Sequence, residues 1–179
     1  LEHALMGQVR PAHPVRLICA VCYRLEEDRH SVCDQLEATW GTISARSEPV
    51  PFTHTRYYEE EMGTGLFKFY CAFSRLIEPM EIVAIKLATN RIEEGLATAG
   101  RRRVNLDPGY IEAAKLVLAT TKNFSHRIYL GDGIYGDIQL FWRGGRFQSN
   151  PWTYGDYLDA ATLDFFTAVR QSYMKEGKN

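Results

Sequence analysis

The chain has 179 residues, with 21 Lys and Arg against 22 Asp and Glu and a formal net charge of −1. That balance excludes a global attraction to nucleic acid or an anionic membrane, so binding of either kind needs a local patch. No apolar run approaches the roughly 20 residues of a membrane span, and length and composition point to one cytoplasmic globular domain with a sizeable core.

Leu1–Leu5 precede Met6 and read as vector-derived residue, leaving 6–179 as the domain. Val15 to Arg24 is apolar on both faces and predicts a central strand. It carries Cys19 and Cys22, which a strand points to opposite faces, so the pair reads as core cysteine and not as a shared metal site. "EEDRHSVCDQLEATWG" places Val32, Cys33, Leu36 and Trp40 on one helical face, with Gly41 as the stop. "ISARSEPVPFTHTRYY" predicts a strand with Pro49 and Pro51 at an edge or bulge. "LFKFYCAF" alternates, with Phe67, Phe69, Cys71 and Phe73 on one face. A long helix opens at Pro79 and is expected to close at Gly100.

Arg103 to Asp107 follows as a short strand, and Asp107-Pro108 reads as the N-cap of a helix over Tyr110 to Thr121. His126 to Leu130, Ile134 to Arg143 and Arg146 to Gln148 read as strands joined by "GDG" and "RGGR" turns. A last helix runs from about Ala160 to Lys175, with Leu163, Phe166, Val169, Arg170 and Tyr173 along it. Strand, helix, strand, strand, helix, strand is the order of a ferredoxin-like α+β sandwich. The C-terminal hairpins and helices extend that core.

The segments "YYEEEMGTGL", "IKLATNRIEE", "RRVNLDPGYI", "KLVLATTKNFSHRIYLGDGIY" and "PWTYGDY" together resemble the domain-of-unknown-function 4416 family of bacterial and archaeal proteins. The likeness runs from about Val15 to Tyr173, and Gly155 in "TYGDY" stands where proline is expected. What it implies is a small cytoplasmic single-domain protein; some relatives carry a GTP-binding label, and no catalytic residue comes with the family.

Motifs give that label no support. Gly131, Gly133 and Gly136 satisfy Gly-x-Gly-x-x-Gly but lead into a strand, whereas a dinucleotide site needs them to open a helix. "VAIK" at Val83 to Lys86 lies inside a helix, and no phosphate-cradling Gly-x-x-x-x-Gly-Lys-Ser/Thr exists. The glycines read as turn and close-packing residues. His126 reads as a satisfied imidazole, and "EEEMG" as a solvated loop or helix start. No histidine spacing predicts a metal site, and the cofactor is unknown.

Two patterns carry more. Along the long helix, Ile82, Ile85, Thr89, Ile92 and Leu96 make the core stripe. Beside it lie Lys86, Asn90 and Glu93, with Val83 and Leu87 beyond. A polar line flanked by apolar surface describes a cleft wall; the competing reading is a network of surface pairs. In "RRRVNLDPGYIEAAK", Arg103 and Asn105 are expected on one strand face as donors to phosphate or carboxylate.

The expected function is therefore binding of a small phosphorylated or nucleotide-like ligand in a polar cleft, by an enzyme or a binding protein. Arg103, Asn105, Lys115, Lys122 and Arg127 would form one wall, Lys86 and Asn90 a second, and Tyr110, Tyr129 and Tyr135 would stack a ring. A second class is RNA binding, with Arg127, Tyr129 and Tyr135 on one sheet face. The third is a protein-interaction module or homo-oligomer.

Overall fold

The computed structural model describes residues 8–176, so the reading of Leu1–Leu5 and Met6 lies outside the described residues. The fold is α+β, with one large antiparallel sheet and four helices among the described residues. The principal strands are β1 (Val15–Tyr23), β2 (Ile43–Arg46), β4 (Phe67–Ile77), β5 (Val104–Ile111), β6 (Lys115–Thr120), β7 (Ile128–Gly131) and β8 (Ile134–Arg143). They lie in the order β2-β4-β1-β5-β6-β8-β7, while β3 (Val50–Pro51) pairs with β4 and β9 (Arg146–Ser149) with β8. Nine strands exceed the four of the expected sandwich, and the sheet runs on past β5 through β6, β8 and β7.

Helices cover both faces of β1. The helices α1 (Glu26–Trp40) and α3 (Glu81–Leu96) send Val32, Leu36, Ile82 and Ile85 into one core, against Leu17, Cys19 and Val21 of β1 and Phe69 and Phe73 of β4. The C-terminal helix α4 (Ala160–Glu176) covers the other face, where Phe166 and Val169 meet Ile18, Ala20 and Tyr70. Each fully buried aliphatic or aromatic side chain here contributes about 1.5–3 kcal/mol through removal from water. All nine residues of β1 are buried as a result. Its single charged member, Arg16, donates through Nη1 to the Phe73 and Ser74 carbonyls at 2.6 and 2.5 Å and pairs through Nη2 with Glu176.

All four cysteines are buried and free, with Cys19 in the α1/α3 core and Cys22 in a separate cluster with Phe52 and Met62. Gly131, Gly133 and Gly136 belong to the β7–β8 hairpin: Gly131 and Gly133 take φ of 133° and 77°, and a Cβ on Gly136 would stand 3.4 Å from Leu130. "EEEM" forms a single short helical turn, α2 (Glu59–Met62).

Two expectations are corrected. Tyr110 to Thr121 is not a helix: it supplies the end of β5, a turn, and β6, and Asp107-Pro108 lies inside β5 instead of capping anything. The long helix ends at Leu96, four residues before Gly100, which sits in a turn closed by a Thr98–Arg101 bridge.

Candidate functional site

A parting of two strands creates the site. β5 and β6 pair only at Gly109–Ile111 against Leu116–Leu118. They approach so closely at Gly109 that a Cβ there would collide with the Val117 carbonyl oxygen and stand 2.8 Å from Leu118 Cδ2. On the N-terminal side of that contact β5 has no partner on β6, and side chains of α3 complete the broken ladder. Glu93 Oε1 accepts the Leu106 N–H at 2.6 Å, and Lys86 Nζ donates to the Leu106 carbonyl at 2.8 Å. Two residues on, Pro108 faces the same gap with no N–H to leave unsatisfied, which is how a proline fits a central strand.

The gap is a cleft of about 250 Å³. Asn105 and Asp107 form its β5 edge, linked by Asn105 Nδ2 donating to Asp107 Oδ2 at 2.9 Å, and Arg102 Nη1 donates to Asn105 Oδ1 at 3.0 Å. Lys86 Nζ lies 3.6 Å from Asp107 Oδ1. Asn90 lines the α3 wall, while Thr120, Thr121 and Lys122 line the opposite wall where β6 ends. A second hollow of about 500 Å³ adjoins it and shares Tyr57, Tyr58, Asp107, Lys122 and Tyr154. Lys68 and Asp156, 5 % and 6 % exposed, form its deep end with Nζ and Oδ2 2.5 Å apart. Tyr70 donates its hydroxyl to the same Asp156 oxygen at 2.5 Å.

Electrostatics follow from burial. The Glu93 carboxyl is pushed above its ordinary value by desolvation, which outweighs the nearby Lys86, the Leu106 N–H and Arg102. The Tyr58 hydroxyl is raised, chiefly by burial, and the Tyr154 hydroxyl likewise, so both remain protonated donors. Five cations and four carboxylates line the two hollows, so no bulk field attracts an anion. Recognition must come from individual groups. Lys122 differs from the other four cations: it has no carboxylate partner among the described residues, donates to the Tyr57 hydroxyl, and lies 4.1 Å from that ring's centroid.

The profile of the family described as "Domain of unknown function (DUF4416)" matches residues 13–173. The chain belongs to the DUF4416 family. No curated protein and no solved structure matches it.

In this DUF4416 chain the sequence candidates divide. Lys86, Asn90, Asn105 and Lys122 meet in the cleft, and Arg127 lines the adjoining hollow. Arg103 does not share a face with Asn105: it precedes β5 and turns to α1, pairing with Glu27 at 2.9 Å and Asp28 at 2.7 Å. Lys115 pairs with Glu112 across the β5–β6 turn. Tyr110 packs half-buried against the α1/α3 core. Tyr129 and Tyr135 stack edge-on across the β7–β8 hairpin at 5.3 Å, away from the cleft. Arg127 is held by Asp137, which accepts from its Nε at 2.8 Å, and by Tyr154, which accepts from Nη2 at 2.9 Å. His126 is satisfied as expected, 3.3 Å from Asp137 and stacked on Trp152 at 4.7 Å.

Sequence reasoning missed Asp107 as a cleft residue, having made it a cap. It also missed Arg102, Asp137, Tyr154 and the Lys68–Asp156 pair. Lys68 gave one usable signal: it is the sole charge within "LFKFYCAF", on the strand face opposite Phe67 and Phe69.

Proposed function

We propose that the two adjoining hollows bind a small phosphorylated or nucleotide-like ligand. The observation that carries this reading is the convergence of Lys86, Asn90, Asn105 and Lys122 from three different elements onto one cleft. Lys122 supplies the cation for a phosphoryl group, since its charge is not spent on a carboxylate. Tyr57, Tyr58 and Tyr154 supply aromatic surface for a planar ring at the waist between the hollows. Asn105 and Asp107 offer a donor and an acceptor in fixed geometry for hydroxyl or amide groups of the same ligand. Glu93, its pKa raised by burial, adds a carboxyl group on the α3 wall.

For the fold, we read β1, α1, β2, β4, α3 and β5 as a ferredoxin-like unit that the later strands extend. The support is that α1 and α3 cover the same face of these strands.

A thermal-unfolding panel of nucleotides, sugar phosphates and inorganic phosphate tests the ligand reading. A ligand present at a hundredfold excess over its dissociation constant adds about 2.7 kcal/mol, which raises the midpoint by about 5–10 °C for a chain of this size. Lys122→Ala and Asn105→Ala should each reduce that rise. A panel with no response, or a response that both variants retain in full, rules the reading out.

A further inference from the structure

Beside the cleft, and sharing Arg102 with it, a concave pocket of about 310 Å³ lies between the end of β1, the turn after α2 and the approach to β5. Four arginines, Arg24, Arg101, Arg102 and Arg103, line it together with two carboxylates, Asp28 and Glu61. Two of the arginines are fixed by carboxylates. Arg102 makes a double contact with Glu61 through Nε and Nη2 at 2.8 and 2.5 Å, and Arg103 is held by Glu27 and Asp28. Arg24 and Arg101 have no ion pair among the described residues and are exposed at the pocket's edge. Gly63 makes room for the first of them: at φ +85° it has no Cβ, and one placed there would lie 2.9 Å from Arg24 Nη1.

We propose that this pocket is an oligophosphate-binding site, in which Arg24 and Arg101 close on an anion of two or more linked phosphoryl groups. A guanidinium matches the geometry of phosphate oxygens with paired N–H donors, and it keeps its charge at any physiological pH. Arg102 and Arg103, already oriented by their carboxylates, present a rigid wall that loses little freedom when an anion arrives. The four guanidiniums converge on one hollow and do not run as a stripe, which suits a compact anion better than a nucleic-acid strand. The site does not depend on the cleft reading, because neither Arg24 nor Arg101 lines the cleft.

The test is equilibrium dialysis of the full chain against radiolabelled inorganic pyrophosphate at constant ionic strength, with sulfate and inorganic phosphate as competitors. One pyrophosphate should bind per chain, with sulfate and phosphate competing at least about tenfold more weakly. Arg24→Gln with Arg101→Gln should weaken binding at least about tenfold, while the exposed positions leave the thermal midpoint without anion unchanged. Each single variant should show part of the loss, which keeps the test informative if the double variant unfolds. Lys122→Ala should bind pyrophosphate as the parent chain does, so failure here is distinct from failure of the cleft reading. No bound pyrophosphate, equal competition by sulfate, or undiminished binding by the arginine variants overturns the proposal. Single-stranded RNA that displaces pyrophosphate at lower concentration than unlabelled pyrophosphate overturns the small-anion assignment.

Discussion

Glu93 is 5 % exposed, yet its two oxygens serve different partners, the Leu106 N–H on one side and Arg102 on the other. Its folded-state pKa lies above the unfolded value, so folding takes up a proton on this group between the two values. The stability it contributes is therefore complete below its ordinary range and is withdrawn as the pH rises through the folded value. Glu93→Gln, which keeps an acceptor for Leu106, should flatten that decline in denaturant-derived stability from about pH 4.5 upward. Equal slopes for the two proteins would disprove the linkage. Glu93→Ala should instead cost about 3 kcal/mol at neutral pH, because the Leu106 N–H and Arg102 lose their acceptor together. This side chain was partly legible beforehand. Lys86, Asn90 and Glu93 stand at i, i+4 and i+7 beside the apolar stripe of the helix, and the burial of Lys86 and Glu93 rules out the surface-pair alternative. Asp156 gave no such signal, because its partner Lys68 is 88 residues away in the chain.

At the scale of elements, the β5–β6 junction shows where periodicity failed. Ala114, Val117, Leu118 and Thr121 satisfy the helical spacing, yet Leu116 and Leu118 also alternate as a strand requires, and both lie in the α4-side core. Asp-Pro-Gly then misled for a definite reason: it is a sound helix start locally, but the gap beside β5 gives proline an equally sound place in a strand. The sequence reading succeeded where local periodicity agrees with the observed burial, as in α1, β4 and β8. It failed where strand separation, a tertiary property, decided the conformation. Gly109→Ala tests that separation. The added methyl group has no room at the closest β5–β6 approach, and overpacking of this kind costs about 1–3 kcal/mol. The urea midpoint should fall accordingly, and cleft ligands should bind less well as the strands are pushed apart. An unchanged midpoint would show that the two strands are free to separate.

For the molecule as a whole, protection should be graded from β1 outward. β1 is flanked by β4 and β5 and covered on both faces, so its amides open only with the whole fold. Native-state hydrogen exchange should place β1, β4 and β5 at the global unfolding free energy, with β3, α2 and the exposed end strand β7 exchanging at lower cost. Exchange of β1 ahead of β7 would contradict this ordering.

The burial of β1 has one more consequence. A strand that is apolar on both faces cannot tell them apart, so a slip of one residue during folding would go uncorrected by hydrophobicity alone. Arg16 breaks that ambiguity. Its guanidinium is at home only where the Phe73 and Ser74 carbonyls and Glu176 wait for it, and a one-residue slip would turn it into the packed layer beneath α1 and α3. One buried charge thus makes the wrong alignment of nine residues prohibitively unfavourable, and the cleft, whose walls depend on β5 lying true against β1, inherits its geometry from that proofreading.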